Sequence, residues 1–230
     1  LLTQPANIWA ADTQPARTPA PPEALFSRHI VALFSRLGCN AGTCHGAVQG
    51  KNGFRLSLFG ADPAADHARL LREFGGRRLN LTAPEQSLLL LKATGQMPHE
   101  GGKRLGVGSA EYQAVLGWIA RGAPLDPLDK SQVASLQVTP AQQTLKPGER
   151  YRLQVQATFA DGSREDVTAL CTFESRDAAV VRVERDGQVQ ALAAGGTARP
   201  SLRKYSASSL GTGSCVEHPP TRSGPRSLGD

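Results

Sequence analysis

Two kinds of hydrophobic periodicity divide the chain into an α-helical part and a β-rich part. From Glu23 to Gly38, apolar residues recur at intervals of three and four, which predicts an amphipathic helix that ends at Gly38. From residue 132 onward the interval changes to two, and Pro-Gly and Asp-Gly turns separate short alternating runs. The pattern predicts a multidomain protein: a mainly-α domain over residues 23–125, followed by an all-β antiparallel sandwich over residues 132–198.

Further signals place the other elements of the α domain. Residues 53–60 alternate between apolar and polar side chains between glycines, which predicts an extended segment. Asp62 followed by Pro63 is typical of a helix start, and Ser109 begins a last helix that Gly122 ends. We expect these helices to bury the following apolar side chains: Leu70, Leu71, Phe74, Tyr112 and Trp118.

Three stretches lie outside these domains. Residues 1–22 end in a proline-rich run, and their mildly apolar start fits equally the remnant of a signal peptide and a plain leader. Residues 126–131, with proline and aspartate, predict a linker. Residues 199–230 show no periodicity, although a sandwich needs one more apolar strand there. We therefore expect the final strand to be missing and residues 199–230 to be a disordered or frame-shifted tail of a longer protein.

Composition excludes several classes of function. The net charge is +6, but the charges are mixed in sign and only 5% of the residues are aromatic, so we expect no nucleic-acid partner. The chain lacks an apolar run of roughly 18 residues, and the sequence predicts no transmembrane helix. It also lacks paired carboxylates, or a set of Ser, His and Asp, at a spacing typical of hydrolases. We expect no enzymatic activity from this chain itself, although further domains of a longer protein could supply one.

The strongest chemical signal is the segment Cys39-Asn40-Ala41-Gly42-Thr43-Cys44-His45, directly after the first helix. Haem c is held by bonds between two thiols and its vinyl groups, while an adjacent imidazole binds the iron. The histidine therefore has to follow the second cysteine directly, as it does here. The spacer has four residues where two are usual, and we expect its small residues, including Gly42, to let the longer loop pack against the macrocycle.

Two other interpretations fit the same residues. Cys39 and Cys44 could form a disulfide with His45 incidental, or the three residues could be half of a metal site. A zinc site needs a fourth ligand and usually a second cysteine pair, and Cys171 and Cys215 are too far apart in sequence to form one. Spacing therefore favours haem over a disulfide, and a disulfide over zinc.

A low-spin haem needs a second axial ligand, commonly methionine or histidine. Met97 and His99 lie in a glycine-rich loop before the last helix, and we predict that one of them binds the iron. Spacing alone does not choose between them. His29 and His67 lie on predicted helices and are expected at the surface.

Two resemblances follow from these residues and their neighbours. Together with the cysteine segment, Gly53-Phe54-Arg55-Leu56-Ser57-Leu58-Phe59-Gly60 and Pro98-His99-Glu100-Gly101-Gly102-Lys103-Arg104 make residues 23–125 resemble the planctomycete-type cytochrome c domain. Through Leu136-Gln137-Val138-Thr139-Pro140 and Asp166-Val167-Thr168, residues 132–198 resemble a bacterial Ig-like domain of group 2. The first resemblance implies covalent haem attachment at Cys39 and Cys44, with His45 as iron ligand, and modestly favours His99 on the other face. The pair of domains implies a longer protein with further domains downstream.

Three functional hypotheses follow. The first is an electron-transfer module in the periplasm or at the cell surface, with a redox partner protein and the Ig-like domain as a spacer or docking unit of unknown partner. The compartment follows because haem is attached covalently outside the cytoplasm. The second is a structural or adhesive surface protein with a Cys39–Cys44 disulfide and no haem. The third is haem enzymology, such as peroxide reduction or gas binding, which requires an open position on the iron.

Overall fold

The computed structural model describes residues 23–175 and 177–193 and the backbone of residues 201–203. The first helix begins with a π-helical turn, Phe26–Ile30, and continues as α1, Val31–Arg36. Gly38 then adopts a positive φ of 77°, a left-handed conformation that glycine reaches without strain, and the helix ends as predicted. The predicted leader, most of the predicted tail and Cys215 lie outside the described residues.

Three more helices complete the α domain: α2, Pro63–Leu71; α3, Leu88–Ala93; and α4, Ala110–Ala120. The N-terminal caps of α2 and α4 are those that the sequence predicts. The Asp62 carboxylate accepts a hydrogen bond from the N–H of Ala65 at 3.0 Å, and the Ser109 hydroxyl accepts one from the N–H of Tyr112 at 3.2 Å. Single 3-10 turns lie between these helices, at Leu58–Gly60, Glu73–Gly76 and Pro84–Gln86. One more, Thr168–Leu170, lies in the second part of the chain. The helical character predicted for this part of the chain is confirmed.

The structure corrects two details of that prediction. Residues 53–60 are not extended throughout, because they end in a 3-10 turn in which Phe59 has a positive φ of 51°. Phe74, expected in the core, is 63% exposed. Helix α2 stops at Leu71, and the backbone is left-handed at Phe74 with φ 53°, so the helical periodicity no longer applies there.

The core of the α domain is centred on Trp118. Phe26 stacks on its indole with ring centroids 5.0 Å apart, and the His67 ring meets the edge of Phe26 at 5.2 Å. His67 is half-buried rather than at the surface, because its Nε2 is hydrogen-bonded to the carbonyl of Ala123 at 2.7 Å. The expected core residues Leu70, Tyr112 and Trp118 are buried.

Within the residues that the structure describes, the second part of the chain contains eight short strands: β1, Val133–Thr139; β2, Arg150–Arg152; β3, Gln154–Phe159; β4, Arg164–Asp166; β5, Thr172–Glu174; β6, Val181–Val183; β7, Gln188–Ala191; and β8, Ser201–Arg203. All strand pairs are antiparallel, in the orders β1-β3-β4, β2-β7-β6 and β5-β8. Alternate residues of β3 are buried in one apolar core, as the period of two requires. The all-β prediction for this part is confirmed.

Two features of this sandwich differ from expectation. The alternating run 151–157 is divided at Leu153, which is fully buried, so that β2 and β3 belong to different sheets. A final strand was expected to be missing, but the backbone of Ser201–Arg203 pairs with Thr172–Glu174. Backbone pairing needs only N–H and C=O groups, so the apolar pattern that the sequence lacks there is not required.

Arg28, on the first helix, joins the two parts of the chain. The residue is only 4% exposed, and its guanidinium forms ion pairs with Asp161 and with Glu165, the latter at 2.9 Å. It also lies over the ring of Phe159, 4.1 Å from the ring centroid. His29, expected at the surface, is half-buried because its Nε2 contacts Glu165 at 2.7 Å. The first helix is therefore bound to the β3–β4 hairpin.

The segment between the two parts is held by Asp126. Its carboxylate accepts hydrogen bonds from the N–H of Ser27 at 2.8 Å and from the hydroxyls of Ser27 and Ser131. Burial acts to raise the pKa of Asp126, but these hydrogen bonds outweigh it and hold that pKa below its ordinary value. The predicted linker thus makes defined contacts with the first helix and within itself. Among the residues that the structure describes, none of the helices has the length and apolar content needed to cross a bilayer.

Candidate functional site

The cysteine segment forms a closed loop directly after the first helix. The N–H of Cys39 donates to the carbonyl of Phe34 at 2.8 Å, which continues the helical turn. The N–H of His45 donates back to the carbonyl of Cys39 at 3.0 Å, and that of Cys44 to Ala41 at 2.9 Å. The four-residue spacer is therefore folded upon itself, and the side chains of Cys39, Cys44 and His45 all line one cavity.

Gly46 makes this closure possible. A Cβ at this position would lie 2.0 Å from the carbonyl oxygen of Asn40, so no other residue fits without moving the backbone. A Cβ at Gly42 would only reach Leu58 at 3.8 Å, an ordinary contact. The loop thus depends on Gly46, whereas Gly42, which the sequence suggested, has room for a side chain.

Cys39 and Cys44 are free thiols. Cys39 packs against the α core, and burial raises the pKa of its thiol to about 11, although the charge of Arg104 acts in the opposite direction. Cys171 is also free, but it is buried in the β core just before β5. The structure therefore places it apart from this cavity, as an apolar core residue.

His45 is oriented by the backbone of the segment that follows it. Its Nδ1 is hydrogen-bonded to the carbonyl of Phe54 at 3.0 Å, and its ring centroid lies 4.6 Å from that of Phe54. Burial lowers the pKa of His45, with smaller contributions from the nearby side chains of His99, Arg78 and Lys92, while the carbonyl contact acts to raise it. In the neutral ring Nδ1 carries the proton, because a carbonyl can only accept, and the lone pair is left on Nε2.

His99 faces His45 across the cavity. The two ring centroids are 6.2 Å apart and the ring planes differ by 11°. The Nδ1 of His99 is hydrogen-bonded to the carbonyl of Gly102 at 2.8 Å, which again leaves Nε2 free. A Cβ at Gly101 would lie 2.8 Å from the His99 ring, so a larger residue there would displace that ring. Two imidazoles that bind one metal ion from opposite sides, at about 2 Å each, have ring centres roughly 6 Å apart.

Met97, the other predicted ligand, is 39% exposed and does not line the cavity. Its N–H donates to the carbonyl of Leu91 at 3.1 Å, which fixes the start of the loop. The structure therefore brings together Cys39, Cys44, His45 and His99 and leaves Met97 outside this group.

The cavity has an open volume of about 1040 Å³, including the space at its mouth. Part of its wall is apolar and comes from α1, the segment after His45, and α3: Phe34, Phe54, Leu56, Leu88, Leu89 and Ala93. The rest includes basic side chains that the sequence did not single out: Lys51, Arg77, Arg78, Lys92 and Arg104. Apart from the adjacent Arg77 and Arg78, they come from separate segments of the chain, so no local spacing could have grouped all five.

Arg78 supports the segment that holds His45. It is 6% exposed and lies between two aromatic rings, 4.4 Å from the centroid of Phe54 and 5.1 Å from that of Phe74. Its Nη2 donates to the carbonyl of Gly53 at 3.0 Å. Arg78 thus fixes both the ring of Phe54 and the backbone next to the carbonyl that orients His45.

In the described part of the chain, no three side chains of His, Cys, Asp or Glu converge as the ligands of a metal ion. The donors that do come together are the two imidazoles and the two thiols of one cavity.

Comparison with known families identifies the β-rich part of the chain. Residues 132–198 match the family model described as bacterial Ig-like domain (group 2), which confirms the resemblance seen in the sequence. Domains of this family are usually extracellular or exposed at the cell surface. No curated protein compared with the chain matches it. The resemblance of residues 23–125 to a cytochrome c domain stays a prediction.

Proposed function

We propose that residues 23–125 attach haem c through Cys39 and Cys44 and transfer electrons outside the cytoplasm. The observation that carries this proposal is the pair of facing imidazoles, His45 and His99, with ring centroids 6.2 Å apart beside two free thiols. When bound, haem supplies an iron that alternates between oxidised and reduced states. The polypeptide supplies the attachment points, the axial ligands and the surrounding wall.

The donor set fits this cofactor. Haem c needs two thiols and an imidazole next to the second thiol, and Cys39, Cys44 and His45 line the same cavity. Both candidate axial imidazoles have Nδ1 bound to a backbone carbonyl, so their free nitrogen is Nε2 and their rings are held in place. The apolar part of the wall suits the apolar faces of a macrocycle.

His99 also supports electron transfer over chemistry at the iron. His45 and His99 would both hold the iron, so peroxide or a gas would have to displace one of these imidazoles to react there. The hydrogen bond of His99 to Gly102 and its close packing on Gly101 hold its ring in place. His99, rather than the exposed Met97, would be the second residue to hold the iron.

The Ig-like domain belongs to this unit as a rigid spacer or docking domain. Arg28 and His29 bind it to the first helix, at whose end Cys39 lies. The family of the Ig-like domain favours a location outside the cytoplasm, as would covalent attachment of haem. Electron transfer by this unit would require a redox partner protein.

Expression of the full chain in a host with haem-maturation machinery tests the proposal. The purified protein should be red, keep its haem through denaturing electrophoresis, and show a low-spin six-coordinate spectrum. His99→Ala should lose the low-spin spectrum, whereas Met97→Ala, the matched control in the same loop, should keep it. If Met97→Ala loses it and His99→Ala does not, the assignment of the second ligand is wrong.

A colourless wild-type protein, from a host that matures a control cytochrome, would overturn haem attachment itself. A Cys39–Cys44 disulfide, seen by mass spectrometry of that colourless protein, would favour the alternative of a structural or adhesive Ig-like surface protein.

A further inference from the structure

The wall of the cavity carries an unbalanced positive charge. Five basic side chains line it, from Lys51, Arg77, Arg78, Lys92 and Arg104, and among the described residues no aspartate or glutamate joins them. Side chains of like charge in one cleft repel each other, and the low-dielectric wall strengthens that repulsion. An anionic occupant of the cavity would relieve this repulsion.

Two of the five basic side chains already have partners in the protein. Arg78 forms an ion pair with Glu73 at 3.4 Å. The Nζ of Lys92 donates to the carbonyl of Pro98 at 2.8 Å, a neutral partner that leaves its charge uncompensated. Both side chains thus already make a defined contact with the protein.

The other three are differently placed. Lys51, Arg77 and Arg104 are exposed, and none of them forms an ion pair with a carboxylate that the structure describes. Arg77 lies over the exposed ring of Phe74, 5.8 Å from its centroid, and Arg104 is close enough to Cys39 to influence the thiol electrostatically. These cations thus line the cavity and reach solvent, where the edge of a bound group would lie.

We propose that Lys51, Arg77 and Arg104 bind the carboxylate groups of the occupant of this cavity. The identity of that occupant rests on the proposed function: for haem, the carboxylates are those of its two propionate groups. Charge-assisted hydrogen bonds of this kind are about twice as strong as neutral ones, and arginine can bind a carboxylate through two parallel N–H donors. The basic residues therefore fix which edge of the macrocycle faces solvent.

The test uses the full chain produced without haem attachment, titrated by absorbance with iron(III) protoporphyrin IX or with its dimethyl ester. The two probes share the macrocycle and the iron and differ only in the two carboxylates. We expect the free acid to bind at least about tenfold more tightly, because a hydrogen bond to a charged group contributes that much or more. The double variant Arg77→Gln/Arg104→Gln should lose most of this preference while its affinity for the ester stays unchanged.

A matched control removes the same charge elsewhere. Arg72 and Lys103 are exposed and do not line the cavity, so Arg72→Gln/Lys103→Gln should keep the preference of the wild type. Unchanged ester binding by the cavity variant also shows that it has folded.

Equal affinity of the wild type for acid and ester would overturn this inference while leaving haem binding intact, as would the same loss in both double variants. Failure of the wild type to bind either porphyrin would instead count against the proposed haem site itself, and this inference would fall with it.

Discussion

Replacing Arg28 with methionine should destabilise the whole protein and weaken the contact between its two domains. The side chain is 5% exposed, and its guanidinium donates to the Ser131 hydroxyl at 3.1 Å and to the Ser163 hydroxyl at 2.8 Å, besides its two ion pairs. Methionine keeps the length and the apolar stem of arginine but removes every one of these donors. The carboxylates of Asp161 and Glu165 then lose their buried cation.

The magnitude follows from how well these carboxylates can regain water. Breaking a buried ion pair by removing one partner costs about 3–5 kcal/mol when the remaining charge stays buried. Here the side chains of Asp161 and Glu165 are 30% and 31% exposed, so water can replace part of the lost interaction. Methionine also keeps an apolar contact with Phe159. We therefore expect a loss of about 2–3 kcal/mol, or roughly 5–10 °C in the unfolding midpoint of a chain of this size.

Urea and thermal unfolding, followed by circular dichroism, measure this difference directly. The control is Arg152→Met, which removes an ion pair with Asp186 whose side chains are 65% and 56% exposed. An exposed pair of this kind contributes about 0.5 kcal/mol or less. The reasoning is refuted if Arg28→Met shifts the unfolding midpoint no more than Arg152→Met does, because burial would then add nothing to the contribution of an ion pair.

Three further predictions concern the loop, the linker and the axial ligands. Gly46→Ala should strongly reduce covalent haem attachment, measured by haem staining after denaturing electrophoresis, because the new Cβ would overlap a backbone carbonyl. Gly42→Ala is the control, since a Cβ has room there and staining should not change. Equal staining of the two variants would contradict this account. Since the pKa of Asp126 is lowered in the folded protein, its contribution to stability should be complete above about pH 5 and be lost on acidification. The difference in unfolding free energy between wild type and Asp126→Asn should therefore be constant above about pH 5 and shrink as the pH falls below about 4; a difference that stays constant down to about pH 2 would count against it. The ring planes of His45 and His99 differ by 11°. If both rings bind the iron, the ferric protein should therefore give the electron paramagnetic resonance signal of near-parallel imidazoles. The signal of perpendicular imidazoles would disprove this arrangement.

The helices and strands could be predicted because their signals are local. Asp62 and Ser109 cap helices through their own side chains, and Gly38 ends the first helix through its own backbone conformation. The alternating burial of β3 likewise follows from the period of two in the sequence. The same local signal failed at Phe74, because the helix to which its spacing belonged had already ended.

The candidate site was only partly predictable for the same reason. Cys39, Cys44 and His45 lie within seven positions of one another in the sequence. Their spacing was therefore enough to predict that their side chains come together. The choice between Met97 and His99 depends on which side chain turns inward, and a spacing of two residues cannot show that. Gly46 is needed because the loop folds back on Asn40, a contact that appears only once the loop is built.

The contacts across the two domains could not be predicted at all. Arg28 has the spacing of an ordinary charged residue on a helix, and its partner Asp161 lies 133 residues further along the chain. The sequence predicted a surface position for His29 for the same reason, and a residue more than a hundred positions away makes it half-buried.

The attachment of the Ig-like domain near the start of the first helix has a consequence for the distance that an electron must travel. That helix is bound to the β3–β4 hairpin at one end and leads to Cys39 at the other, so the two points are separated by a short, stiff piece of backbone. Electron tunnelling between proteins becomes much slower with each added ångström. Under the proposed function, a partner or surface that holds the Ig-like domain therefore also sets the distance and the angle between the haem and its electron acceptor. Lengthening the first helix should change the rate of electron transfer without changing the reduction potential of the haem.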